Sequence, residues 1–187
     1  MTDLPSSSRA VIIGGGVSGC SIAYHLAELG WTDIVLLERR QLTCGTTWHA
    51  AGLIGQLRPN QNMTRLAKYS ADLYMRLEEE TGVATGMRAT GSITTALTEA
   101  RAEEIRRQAG IARAFGVEVA EISPEETKVL YPPLETSDVV AAVHLPADGQ
   151  ADPANIALAL AKGARMKGAR IQEGVKVTRI AQDRGRV

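Results

Sequence analysis

The chain has 187 residues, 44% of them hydrophobic, and its Lys plus Arg and Asp plus Glu counts are both 21. That length suffices for one domain, or one and a half, around a sizeable core, and the balanced charge gives no electrostatic ground for a nucleic-acid or anionic-membrane partner. The longest apolar runs, AVII and IVLL, are of core-strand length and far short of the roughly 20 residues a bilayer span requires, so no membrane span is predicted.

The first residues, MTDLPSSSRA, have neither an apolar signal core nor the Arg-rich amphipathic character of a transit peptide. A bacterial cytoplasmic setting is expected, or the mitochondrial matrix if the source is eukaryotic. Two cysteines, Cys20 and Cys44, make neither a disulfide framework nor a metal-ligand spacing. Cys20 falls on the first turn of a helix, where a small residue packs under a sheet, and Cys44 is expected to be a reduced, inert thiol.

RAVII reads as a strand, Gly14-Gly15-Gly16-Val17-Ser18-Gly19 as a glycine turn, CSIAYHLAELG as a helix, and DIVLLE as a second strand closed by Glu38. This order is the layout of a βαβ dinucleotide site. In such a site Gly14 permits the tight turn, Gly16 lets backbone approach a pyrophosphate, and Gly19 lets the helix pack against the sheet. The helix turns its free N–H groups and positive end toward phosphate, and Glu38 is placed to accept hydrogen bonds from both hydroxyls of an unphosphorylated adenosine ribose. A plain βα turn is the alternative.

RRQLTCGTTWHAAGLIGQLRP, which follows, is expected to be loop with short helical pieces. From Asn62 to Thr81, apolar residues recur at helical spacing, with acids at 78–80 and Gly82 as a stop. GSITTALT reads as a strand, Glu99 to Phe115 as a helix closed by Gly116, and VEVAEI as a strand. Ser123-Pro124-Glu125-Glu126 carries the cap, the proline and the glutamate of a helix start, and YPP ends that helix. VVAAVHL is a strand, Asp148-Gly149 a turn, Asp152-Pro153 the start of a helix running to about Lys167, and ARIQEGVKVTRI one or two further strands with a turn at Asp183 to Gly185. The fold class expected is α/β: a βαβ dinucleotide-binding Rossmann-like domain built from 1–60 and 144–187, with 61–143 forming part of an inserted α+β domain. The closing edge would be left unpaired, which reads as the first portion of a longer protein.

Gly45-Thr46-Thr47-Trp48-His49-Ala50-Ala51-Gly52-Leu53 lies a few residues beyond Glu38 and is brought back over the same site. The hydroxyls of Thr46 and Thr47 can meet phosphate or ribitol oxygens, Trp48 offers an aromatic surface, and a neutral imidazole is a competent nucleophile near neutral pH. His49 is therefore a candidate for covalent attachment to a flavin ring methyl carbon. A buried histidine bonded to backbone is the alternative. His25 and His144 are expected to be structural.

GGGVSGCSIAYHLAELGWTDIVLLER followed by TTWHAAGL resembles the flavoprotein part of sarcosine and dimethylglycine dehydrogenases, in the D-amino-acid-oxidase-like superfamily, with further matches at RLEEETG, LYPPL, LPADGQADP and VKVTRI. The resemblance covers nearly the whole chain, and TWHAAG is its specific part. It implies FAD, carried covalently by His49. It also implies that Val17 and Ser18 approach the diphosphate, that Glu38 and Arg39 meet the adenosine end, that Gly45 through Leu53 line the flavin, and that backbone of Val177 contacts the adenine. Thr46 stands where the family commonly has serine, which keeps the hydroxyl. GQLRP after the motif is nearer to sarcosine dehydrogenases. The implied reaction is oxidation of a small N-methyl amino acid to formaldehyde and the demethylated amine, with an electron-transfer flavoprotein and folate as partners of a full-length protein. No catalytic acid, base or substrate residue is assigned, because those are expected beyond Val187, and the isolated chain is expected to be inactive. An oxygen-using amine oxidase of the same superfamily and a non-catalytic FAD- or NAD-binding module remain as alternatives.

Overall fold

The computed structural model describes residues 4–184. The chain folds as two compact units, Met1–Ala51, Arg76–Thr85 and Asp152–Val187 in one, Gly52–Met75 and Gly86–Ala151 in the other.

The first unit is built on three parallel strands, β1 (Ala10–Ile13), β2 (Ile34–Leu37) and β8 (Arg170–Gln172), in the order β1-β2-β8. Ala10 pairs with Ile34 through Ile13 with Leu37, and Val35 with Arg170 through Leu37 with Gln172. Two helices connect and cover them, α1 (Val17–Glu28) and α5 (Pro153–Met166). This is one half of a doubly wound sheet, whose ligand sites lie beyond the carboxyl ends of the strands. The helices meet through small residues: Cys20, Ala23 and Ala27 on α1, and Ala157, Ala161, Gly163 and Ala164 on α5. Gly163 is required there, because a Cβ on it would lie 2.8 Å from the ring of Tyr24. Ile34 and Leu36 of β2 and Leu160 of α5 are almost wholly buried, each contributing about 1.5–3 kcal/mol of apolar transfer. Asp152 caps α5 through the amides of Ala154 and Asn155, and Pro153 supplies the helical first position.

In the second unit β4 (Ser92–Ala96), β5 (Ala120–Ile122) and β6 (Ala141–Leu145) form an antiparallel sheet in the order β4-β6-β5. Helix α3 (Glu99–Ala114) lays Ala102, Ile105, Ala109 and Ala112 against Ala96, Ala141, Val143 and Leu145. Helix α4 (Pro124–Leu130) opens on a complete capping box between Ser123 and Glu126, as its sequence requires. A short ribbon pairs β3 (Leu53–Ile54) with β7 (Gly149–Gln150). Helix α2 (Gln61–Thr81) begins in this unit and ends in the first.

Three expectations need correction. VKVTRI is not a strand: β8 ends at Gln172, and residues 175–182 form no ladder. A strand needs a partner, and beyond Gln172 the pairing with the β2 end shrinks to Gly174 N–H on Arg40 O and Val175 N–H on Glu38 O. The expected turn at 183–185 lies partly outside the described residues. Asp148-Gly149 is not a turn either, since the chain turns at 146–147 and Gly149 belongs to β7. Gly149 serves close approach, because a Cβ there would stand 1.9 Å from the carbonyl oxygen of Arg88. VEVAEI becomes strand only from Ala120, while Val117 and Val119 are spent on the core beside α3. No described helix is long and apolar enough to cross a membrane.

Candidate cofactor site

At the carboxyl end of β1 the chain reverses into α1 through Gly14, whose φ of +109° excludes other residues. Gly19, one helical turn on, touches that reversal: its missing Cβ would sit 1.9 Å from the Gly14 carbonyl oxygen. Gly16 is the N-cap of α1 and provides no side-chain cap. The first amides of α1, at Val17, Ser18 and Gly19, therefore begin the helix with its partial positive charge unmasked by any acid in the first turn.

Glu38 stands just beyond β2 and is only 9% exposed. Its Oε2 accepts the Gly15 N–H at 2.8 Å and its Oε1 accepts the Arg40 N–H at 2.9 Å. Burial pushes this carboxyl up, but those amides and the charge of Arg39 outweigh it and hold the group below the ordinary glutamate range. Oε1 also accepts from the Cys44 thiol, Sγ at 4.0 Å, and Oε2 keeps a lone pair for a further donor. Arg39 itself is exposed.

The segment after Glu38 folds back onto the glycine turn. Thr43, at φ +68°, donates its N–H to the Gly15 carbonyl at 2.9 Å, and the Leu42 side chain fills the space a Cβ on Gly15 would need. Thr47 then begins a 3-10 turn, Thr47–His49. The Thr47 side chain is buried, and its Oγ1 accepts the Val17 N–H at 3.0 Å. Gly45, Thr46, Ala50 and Ala51 are exposed. Trp48 is 58% exposed and its ring lies over that of His49, centroids 3.8 Å apart at 34°. The His49 imidazole is exposed and carries no hydrogen bond among the described residues, so a buried histidine bonded to backbone does not describe it. Gly52, at φ +73°, and Leu53, the first residue of β3, begin the second unit. Val177 is partly buried and sits outside any strand.

Gly14 to Gly19, Glu38 and Thr43 to His49 thus converge on one strand-end cradle. Sequence reasoning missed the two contacts that close it, Gly15 against Leu42 and Thr47 on Val17. A third consecutive glycine was the available signal for the first; a hydroxyl 30 residues away in sequence left none for the second.

Cys20 is wholly buried, its Sγ 3.6 Å from the Gly15 carbonyl, and burial pushes the thiol up to about 11. It is inert packing under the turn. Cys44 is exposed and unpaired by any disulfide. His25 bonds its own helix, Nδ1 to the Ser21 carbonyl at 2.7 Å, and His144 lies on β6 against Gly91.

A parallel strand order with a glycine turn into a helix and a terminal acid defines a dinucleotide-binding α/β protein. Residues 9–187 match the family described as DAO, FAD dependent oxidoreductase, and the chain belongs to that family. The cofactor of the family is FAD, and the Ser18 and Gly19 amides at the start of α1, the close backbone approach that Gly16 allows and the Glu38 carboxylate fit its diphosphate and ribose.

Among curated relatives, human mitochondrial sarcosine dehydrogenase is 44% identical over 95% of this chain and 19% of its own length. Mouse mitochondrial pyruvate dehydrogenase phosphatase regulatory subunit is 39% identical over 98% and 21%, and mouse mitochondrial dimethylglycine dehydrogenase 42% over 92% and 20%. Among solved structures, L-proline dehydrogenase from P. horikoshii superposes with a TM-score of 0.88 at 32% identity, over 97% of this chain and 48% of that one. The chain therefore spans about a fifth of the length of these curated relatives.

Proposed function

We propose that this chain supplies the FAD-binding part of an enzyme that oxidatively N-demethylates a small N-methyl amino acid, sarcosine or dimethylglycine, giving formaldehyde and the demethylated amine. The observation that carries this reading is the TTWHAAGL turn, which presents an exposed, unbonded His49 from the same cradle as the start of α1. In this reading Gly14, Gly16, Ser18 and Gly19 receive the diphosphate, Val17 approaches it with its amide held by Thr47, and Glu38 and Arg39 hold the adenosine end. Gly45 through Leu53 line the flavin, Val177 meets the adenine, and the segment from 61 to 143 belongs to the substrate side.

His49 would be the tether: one imidazole nitrogen would hold the FAD through a methyl carbon of its ring system, an attachment that would need dioxygen or another two-electron oxidant to take up the two hydrogens released. Bound FAD supplies a two-electron acceptor for hydride from the N-methyl carbon, and water hydrolyses the resulting iminium of the substrate. The amine must be neutral, since a protonated nitrogen has no lone pair to expel the hydride, so turnover should rise with pH toward the amine pKa. An electron-transfer flavoprotein and folate are the partners proposed for the complete enzyme.

Anaerobic mixing of the full-length FAD-loaded protein with sarcosine or dimethylglycine is the test. Bleaching of the flavin absorbance with formaldehyde released is expected, and a flavin left oxidised by both would contradict the reading. Turnover with dioxygen alone, needing no artificial acceptor, would favour an oxidase. A second reading, a non-catalytic FAD-binding module, is favoured by the similarity to a phosphatase regulatory subunit; it predicts bound FAD that no N-methyl amino acid reduces.

A further inference from the structure

The side chain that caps α1 comes from outside the helix. Gly16, the N-cap, has none to offer, and the Val17 amide, one of the donors a helix start leaves free, is taken instead by Oγ1 of Thr47 at 3.0 Å. Thr47 is 6% exposed, so this bond is shielded from water. Gly16 faces the same atom: a Cβ on it would stand 3.0 Å from Thr47 Oγ1. The space that this glycine leaves is thus shared between a phosphate approach and the threonine hydroxyl.

Thr47 is also the first residue of the 3-10 turn that ends at His49. Within that turn the His49 N–H bonds the Thr46 carbonyl and the Ala50 N–H bonds the Thr47 carbonyl, both at 3.2 Å. Upstream, Thr43 N–H holds the Gly15 carbonyl at 2.9 Å. The exposed imidazole is therefore referred to the glycine turn through two short bridges, at residues 43 and 47, and only the second lies next to it in the chain.

We infer that Thr47 is a positioning residue, a cap supplied from a distance whose bond to the Val17 amide fixes the His49 turn relative to the start of the phosphate-binding helix. This rests on the proposed tethering of the flavin by His49. One lone pair of the hydroxyl is committed to Val17, and its O–H is left to donate elsewhere, so the measurements below separate a phosphate contact from the positioning role. Its purpose is to make the place of the imidazole depend on the same helix start that anchors the diphosphate.

The test compares T47V, which is isosteric but cannot accept the amide, with T47S, which can. Three quantities are read on the full-length protein: the rate at which FAD becomes acid-stable, the reversible FAD affinity with H49A in the background, and hydrogen exchange at the Val17 amide. T47V is expected to slow attachment about five- to tenfold, the size of one lost helix cap, to speed exchange at Val17, and to lower reversible affinity by a smaller factor than it lowers the attachment rate. T47S should restore all three, which excludes a folding defect. Attachment by T47V at the wild-type rate would overturn the inference while leaving the tether intact. A loss of reversible affinity as large as the loss of attachment rate would overturn it in favour of a diphosphate ligand. If wild-type protein attaches no flavin while Val17 stays protected, it is the tethering reading that fails, and the positioning role falls with it.

Discussion

A methyl group at position 19 would have to occupy the place of the Gly14 carbonyl oxygen, 1.9 Å from the ideal Cβ. Neither atom belongs to a flexible side chain, so the start of α1 must shift. G19A is accordingly expected to lower unfolding free energy by on the order of 2–3 kcal/mol, as other overpacked sites do, and to weaken FAD binding, measured by urea unfolding and fluorescence titration. Glu38 makes a second prediction. Its folded pKa lies below the unfolded value of about 4.3, so its stabilising contribution is present above that value and is lost as pH falls through the folded pKa. E38Q should therefore cost stability at neutral pH, with the difference from wild type shrinking in unfolding curves taken progressively below about pH 4.3. At this scale Gly14 and Gly19 are legible in the sequence because each meets a fixed demand of the βαβ turn. The sequence offers the Thr47 hydroxyl to phosphate or ribitol oxygens; its bond to the Val17 amide is not legible there, since that partner is set by how a loop folds back and no local pattern records it.

Among the elements, α5 shows how two opposing effects are decided by size. Replacing Gly163 by alanine in a helix interior would ordinarily gain about 1 kcal/mol. Here the new Cβ would meet two ring atoms of Tyr24 at 2.8 Å, and overpacking costs about 1–3 kcal/mol, so G163A is expected to be net destabilising by about 1 kcal/mol in thermal or urea unfolding. Removing the α5 cap with D152A, which strips acceptors from the amides of Ala154 and Asn155, should cost about 1 kcal/mol; an unchanged midpoint would show the cap to be replaced by solvent. Helix starts were readable because Ser123 and Asp152 act within three residues of themselves. Strands were less so: VKVTRI has strand composition, but a ladder is a property of two segments, and β2 offers β8 pairing only for Val35 to Leu37. The Asp148-Gly149 pair misled for a related reason, as its glycine answers a neighbouring backbone from Arg88 rather than a turn.

For the molecule as a whole, the parallel sheet is covered unequally. Ile12 is buried, whereas Val11 and Ile13, on the opposite face of β1, are each 54% exposed, and β1 has β2 as its one ladder partner among the described residues. Parallel sheets are normally covered on both faces, and an open apolar edge invites pairing; with zero formal net charge there is little repulsion to oppose it. The 187-residue chain is therefore expected to self-associate with rising concentration near neutral pH in sedimentation velocity, and V11T/I13T to reduce that association; a monomer at all concentrations would contradict this. The central claim concerns chemistry at one histidine, and its most direct measurement is the absorbance of the FAD-loaded full-length protein after acid precipitation and washing. The account predicts a yellow pellet for wild type and a colourless pellet with yellow supernatant for H49A. A colourless wild-type pellet, or a yellow H49A pellet, would contradict it.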